Sequence, residues 1–123
     1  MTEGLVIDDN RQTADALMQM LKALGFKTRV SYGSSPAMEL LGTGFTPGFI
    51  CLDINMPGVD GTEVLAFLKR EPRLRRVPVI VITSDDQPET QNKVMKLGAT
   101  AMIIKPATID SLEGALKQAK MLP

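Results

Sequence analysis

Phe49-Ile50-Cys51-Leu52-Asp53-Ile54-Asn55-Met56-Pro57-Gly58-Val59-Asp60-Gly61 is the stretch on which the fold turns. Its first four residues are apolar without alternation, as in a strand buried on both faces. A carboxylate, Asp53, then ends the run, where strand packing has no use for one. Asn55, Pro57, Gly58, Asp60 and Gly61 crowd the segment that follows, a composition that turns the chain. Beyond Gly61, Val64, Leu65 and Leu68 share one face of a helix that ends before Pro72.

The same strand–helix unit recurs on either side. Upstream, Leu5-Val6-Ile7 runs into Asp8-Asp9, and Ala14, Leu17, Met18, Leu21 and Leu24 follow at helical spacing before a C-capping Gly25. Thr28-Arg29-Val30 is a weaker strand, expected near a sheet edge. Ser35-Pro36 opens the second helix, with proline at its first position; it carries Met38, Leu40 and Leu41 and stops at Gly42. Downstream, Val77 to Ile82 is a strongly apolar strand ending at Thr83-Ser84. A more polar helix runs from Pro88 to Leu97, closed by Gly98. Ala101-Met102-Ile103-Ile104 ends at Lys105-Pro106, and the last helix places Ile109, Leu112, Leu116 and Ala119 on one face. Five such units with apolar strands predict an α/β fold, a parallel sheet with helices on both faces.

The 123 residues suit a single domain spanning 1–123. A hydrophobic fraction of 44% and a charged fraction of 23% are those of an ordinary globular chain. Fourteen basic and fourteen acidic residues cancel, so no nucleic-acid-binding face is expected. Arg70, Arg73, Arg75 and Arg76 cluster, but Glu71 interrupts them and Pro72 and Pro78 bracket the loop, the pattern of a solvated connection. Cys51 has no partner for an internal disulfide and sits between Ile50 and Leu52 as core packing, which suits a reducing compartment. The absence of histidine excludes Ser-His and Cys-His catalysis. No stretch approaches the roughly 18 apolar residues of a membrane span. Met1-Thr2-Glu3 brings neither a basic n-region nor an apolar h-region, so no signal peptide is expected. Cytoplasmic residence without a membrane partner is the expectation.

Four strands end in polar residues: Asp8-Asp9, Asp53, Thr83 and Lys105. In an open parallel α/β sheet, ligand sites lie beyond the carboxyl ends of the strands, at the switch in strand order, so these residues are expected to meet. Carboxylates held close together raise one another's pKa unless a cation joins them. Hard oxygen ligands with few protein contacts suit Mg²⁺, which keeps several waters and often binds beside phosphate. One carboxylate can then attack phosphorus to give an aspartyl-phosphate. Lys105 supplies a positive charge and Thr83 a hydroxyl for the phosphoryl oxygens. No residue offers itself as a strong base to activate water. Each member alone has a plainer reading: Asp8-Asp9 as a helix cap, Asp53 as a turn residue, Thr83 as a strand or cap residue, Lys105 as a solvated side chain. Asp60 is expected to cap the third helix, and Asp85 and Asp86 to be solvated or capping. Tyr32, the only tyrosine, carries no functional mark.

At these residues the chain resembles the receiver domain of two-component response regulators, of the single-domain chemotaxis type. The matching features are the acidic pair after the first strand, Leu52 to Gly61, Val81-Ile82-Thr83-Ser84, and Gly98-Ala99 followed by Ile104-Lys105-Pro106. The resemblance implies a doubly wound, flavodoxin-like five-stranded sheet in the order 2-1-3-4-5. It implies that Asp53 accepts a phosphoryl group from a sensor histidine kinase or phosphotransfer protein. It makes Asp8, Asp9 and Asp53 the Mg²⁺ ligands, Asp9 directly and Asp8 largely through water, with the Asn55 backbone carbonyl beside them. Thr83 then moves toward the phosphoryl group and Lys105 pairs with it. Ser84 is small, as the phosphoryl site requires, and Asp85 lies where the family tunes phosphoryl lifetime.

Met102 is a departure, standing three residues before the lysine where many receivers carry a switching aromatic. The signal would pass to a downstream protein or a fused output domain, and dimerisation through the fourth and fifth helices stays open. Turnover is not expected beyond slow self-phosphorylation and self-dephosphorylation. Two rivals remain. One is a docking module that is never phosphorylated. The other is a Mg²⁺-dependent phosphohydrolase similar to the haloacid dehalogenase class, whose Asp-x-Asp motif is replaced here by Asp53-Ile54-Asn55.

Overall fold

The residues of the three central apolar runs, Leu5 to Ile7, Phe49 to Leu52 and Val79 to Ile82, are each 1% exposed or less, so both faces of the sheet they form are covered. The computed structural model of the chain describes residues 3–56 and 60–123. Its elements alternate along the chain: β1 (Glu3–Ile7), α1 (Arg11–Ala23), β2 (Lys27–Ser31), α2 (Ser34–Gly42), β3 (Phe49–Leu52), α3 (Gly61–Arg70), β4 (Val79–Thr83), α4 (Pro88–Lys96), β5 (Ala101–Ile104) and α5 (Ile109–Gln118). The five strands are parallel, in the order β2-β1-β3-β4-β5, as the resemblance implied, with β2 at an edge.

Alternate strand residues feed two cores, because successive side chains of a strand point to opposite faces. Leu5, Ile7, Ile50, Leu52, Val79 and Val81 pack on one side with Leu41, Leu65, Leu68 and Val94 of α2, α3 and α4. Val6, Phe49, Cys51, Ile80 and Ile82 pack on the other with Leu17 and Leu21 of α1 and Leu112 and Leu116 of α5. Each fully buried aliphatic or phenyl side chain contributes about 1.5–3 kcal/mol relative to exposure.

Register positions the site. Ile7 lies opposite Leu52, and Asp53 N–H donates to the Ile7 carbonyl at 2.9 Å, so Asp8 and Asp53 leave neighbouring strands at one level. Thr83 lies opposite Ile104, and Lys105 N–H donates to the Thr83 carbonyl at 2.8 Å.

Several local expectations shift. α2 begins at Ser34, which makes Pro36 its third residue rather than its first. N–H groups throughout the first turn lack intrahelical partners, so proline removes no helical bond there. Gly42 is the last residue of α2 rather than its stop, and Gly44, at φ +98°, takes the left-handed turn beyond it. β4 starts at Val79, not Val77, because Pro78 has no N–H to give; its carbonyl instead accepts from Ile50 N–H at 2.9 Å. Ile109, expected on the buried face of α5, is 47% exposed. It is the first residue of the helix, and the buried stripe is Leu112, Ala115, Leu116 and Ala119.

Asp60 caps α3, accepting from Thr62 N–H at 2.9 Å. Arg70, Arg75 and Arg76 are exposed, as a solvated connection requires. Arg73 does more: its guanidinium donates to the carbonyls of Leu41 (2.6 Å) and Phe45 (2.8 Å) and to Thr46 Oγ1 (2.6 Å), tying the end of α2 to the loop after α3. Of the loop quoted at the outset, Pro57, Gly58 and Val59 lie outside the described residues, as do Met1 and Thr2. Among the described residues, no helix is long and apolar enough to cross a membrane.

Candidate functional site

Asp8 follows the last residue of β1 and is 1% exposed; Asp53 follows β3 and is 4% exposed. Asp9, one step further along the loop, is exposed. One carboxylate oxygen from each of the three lies within 4.8 Å of the others. Lys105, just past β5, brings its ammonium to 3.3 Å from Asp8 Oδ2 and 3.6 Å from Asp53 Oδ2. The strand ends therefore bring together the residues that the sequence nominated.

The plainer reading of Asp8-Asp9 as a helix cap fails. Asn10 is the N-cap of α1, its Oδ1 accepting from Thr13 N–H at 3.0 Å. Asp8 Oδ1 accepts from Asn10 N–H at 2.9 Å, which aims the rest of the carboxylate at Lys105. Asp53 is held in a similar way, Oδ1 accepting from Asn55 N–H at 3.0 Å.

Burial raises the Asp53 carboxyl above its ordinary value, and the neighbouring Asp8 charge adds to the rise. The Asn55 N–H and the Lys105 ammonium act the other way. Three carboxylates face one ammonium, leaving a surplus of two negative charges when all are ionised. A hard divalent cation matches both that surplus and the all-oxygen donor set.

Thr83 is fully buried, and its hydroxyl accepts from Asn55 Nδ2 at 2.8 Å and from Asp85 N–H at 3.1 Å. The sequence assigned Asn55 a role only through its backbone carbonyl, so its side-chain bond to Thr83 is new. Asp85 is neither idle nor merely solvated: its carboxylate accepts from Gln87 N–H (3.0 Å) and from the Thr90 hydroxyl (2.6 Å). Met102 is partly buried against the core shared by α2, α3 and α4. Ser84 is exposed beside Thr83.

Gly61 stands among turn residues in the sequence, but close packing is what demands a glycine there. A Cβ there would run into the Ile54 Cα and stand 2.6 Å from the Asp53 carbonyl oxygen. A glycine so near a strand-end carboxylate was the available signal. Cys51 is buried, and burial pushes its thiol up to about 12, as befits packing rather than a nucleophile. Tyr32 donates to Asp15 Oδ1 at 2.7 Å, under the Arg11 guanidinium.

The family model for the response regulator receiver domain matches residues 5–117. The chain is 29% identical over 123 residues to the probable methanogenesis regulatory protein FilR2 of Methanothrix harundinacea, covering 94% of this chain and 79% of that one. It is 28% identical over 105 residues to the polar-differentiation response regulator DivK of Brucella anthropi, covering 85% of each. Its structure superposes with a TM-score of 0.89 on the signal receiver domain of the DNA-binding response regulator merR from Colwellia psychrerythraea, at 29% identity, covering 99% of this chain and 100% of that one. With the sheet order, the acidic cluster and the lysine in place, the chain belongs to the response regulator receiver domains of two-component systems.

Proposed function

We propose that the chain is a phosphorylation switch, a single domain over residues 1–123 that accepts a phosphoryl group on Asp53. The observation that carries this is the meeting of Asp8, Asp9 and Asp53 within 4.8 Å under the Lys105 ammonium. An Asp53 oxygen attacks phosphorus. The new O–P bond forms as the N–P bond of a phosphohistidine donor breaks, and the electron pair leaves on the imidazole nitrogen. The donor is a sensor histidine kinase or a phosphotransfer protein, and the cytoplasm is the compartment.

The donor set fits Mg²⁺, held by Asp8, Asp9 and Asp53 with the Asn55 backbone carbonyl, and the ion when bound neutralises charge on the transferring phosphoryl group. Lys105 stands beside Asp53 to pair with a phosphoryl oxygen. Thr83 offers the hydroxyl whose reorientation reads the modified state, with Met102 as the movable apolar residue on the neighbouring strand. Phosphorylation adds about 1.5 to 2 negative charges at the strand ends, enough to bias a two-state element. Exposed Met95, Ile104 and Ile109, on α4, β5 and α5, offer apolar surface to an output partner, a fused domain or a second copy. Neither nucleic acid nor membrane is a partner of this chain, and slow self-phosphorylation and self-dephosphorylation are its only turnover.

Incubation with acetyl phosphate and Mg²⁺ tests this by intact-protein mass. The wild-type chain is expected to gain one phosphoryl group and Asp53→Asn none. An unchanged wild-type mass would favour a docking module, and multiple turnover of a phosphomonoester would favour a phosphohydrolase.

A further inference from the structure

Asn55 reaches in two directions. Its backbone N–H donates to Asp53 Oδ1 at 3.0 Å, and its side-chain Nδ2 donates to Thr83 Oγ1 at 2.8 Å, across 28 residues of chain. A hydroxyl has two lone pairs and one proton. Both lone pairs of the Thr83 hydroxyl are engaged, by Asn55 Nδ2 and by Asp85 N–H at 3.1 Å, and its side chain is fully buried.

Asp85 continues the chain of bonds into α4. Gln87 is the N-cap of α4, yet its side chain makes no capping bond. Asp85 does that work from outside, accepting from Gln87 N–H and from the Thr90 hydroxyl, and these bonds hold its carboxyl below the ordinary range. An unbroken series of hydrogen bonds thus joins Asp53, Asn55, Thr83 and Asp85 to the first turn of α4.

We propose, on the footing that Asp53 accepts a phosphoryl group, that the Asn55 side-chain amide is a latch. It holds the Thr83 hydroxyl, and through Asp85 the start of α4, in the resting arrangement, and releases both when Asp53 is modified. The release has a direct cause. Anionic phosphoryl oxygens compete with the Thr83 oxygen for the Asn55 Nδ2 protons and offer the Thr83 proton a charged acceptor, and charge-assisted hydrogen bonds are roughly twice as strong as neutral ones. Asn55 and Asp85 are positioning residues here, acting through Thr83. The path lies between β3, β4 and α4 and needs no switching aromatic at Met102.

Amide hydrogen exchange by NMR on the whole chain tests the latch, read at the Asp85 and Gln87 N–H groups that donate within the series. In the unmodified wild type both are expected to exchange slowly, and acetyl phosphate with Mg²⁺ should speed them by several-fold to about tenfold, the scale of one lost hydrogen bond. Unmodified Asn55→Ala should already exchange at the faster rate, with little added by phosphorylation. Thr83→Ser keeps the hydroxyl and should behave as wild type, whereas Thr83→Val should match Asn55→Ala. Amides of α1 and α5 should not change in any of these. The latch is overturned if Asp85 and Gln87 exchange at wild-type rates in Asn55→Ala and Thr83→Val, or if the acceleration spreads evenly to α1 and α5. A wild type that gains no phosphoryl mass would instead sink the phosphoacceptor reading, and the unmodified variants would still decide whether Asn55 holds Thr83 and α4.

Discussion

Lys105 Nζ donates to Asp8 Oδ2 at 3.3 Å across 97 residues of chain, and the same ammonium stands 3.6 Å from Asp53 Oδ2. One cation therefore serves two buried carboxylates that belong to different strands. In the metal-free protein it is the principal compensation for their charge, since among the described residues the remaining bonds to them come from neutral N–H groups.

Replacing Lys105 with methionine removes that compensation while keeping most of the side-chain volume. Leaving buried charge unpaired is costly, and the metal-free variant is expected to lose about 1–3 kcal/mol of stability at neutral pH. Equilibrium urea unfolding in the presence of a chelator measures the loss. Saturating Mg²⁺ should narrow the gap between variant and wild type, because the ion supplies positive charge to the same carboxylates.

Asp53→Asn is expected to stabilise the metal-free fold at neutral pH. Burial raises the Asp53 carboxyl above its ordinary value of 3.8, so the folded chain holds that proton more tightly than the unfolded chain does. The stability contributed by protonated Asp53 is present in full below the unfolded value and is lost as pH rises through the folded one. Asparagine carries no such cost of ionisation. Urea midpoints of variant and wild type should therefore converge in acid and separate, variant higher, as pH climbs from about 4 to 7. Parallel curves over that range would contradict the shift.

Gly61→Ala pushes a methyl group against the Ile54 backbone and the Asp53 carbonyl oxygen, neither of which is a flexible side-chain end. The loop that follows Asp53 must move, at a cost of about 1–3 kcal/mol. Because the displaced backbone carries Asp53 and Asn55, phosphoryl uptake from acetyl phosphate should fall along with the urea midpoint.

Arg73→Ala provides the contrasting case. It removes three hydrogen bonds that join the end of α2 to the loop after α3, none of them to a site residue. Stability is expected to drop by about 1–2 kcal/mol, the carbonyl acceptors being partly rehydrated. Phosphoryl uptake per folded molecule, by intact mass, should stay at the wild-type level.

How far the sequence reaches is clearest at individual residues. Asp8, Asp9, Asp53, Thr83 and Lys105 were legible because each interrupts an apolar run, and the end of a run is a local property of the chain. The cap at Asp60 and the turns at Gly25 and Gly98 were legible for the same reason; both glycines take positive φ, at 95° and 106°. Ile109 was misplaced because its spacing fits the buried stripe while its position at the helix start leaves it beyond the packed surface. In the arginine cluster, Arg70, Arg75 and Arg76 face solvent as their local pattern implies, but Arg73 finds carbonyls about thirty residues away, which no local pattern announces.

From sequence alone came the alternation of apolar runs with helical periods, the parallel α/β class, and the nomination of the strand-end residues. These depend on short-range periodicity and on the misfit of a charge at the end of an apolar strand. Tertiary structure decided the rest: that Lys105 serves Asp8 and Asp53 together, that Asn55 grips Thr83, and that Asp85 carries the connection into α4. Such contacts depend on register and on separations held to within a few tenths of an ångström between strands far apart in the chain, and a hydrogen bond exists only where packing has already brought its two ends together.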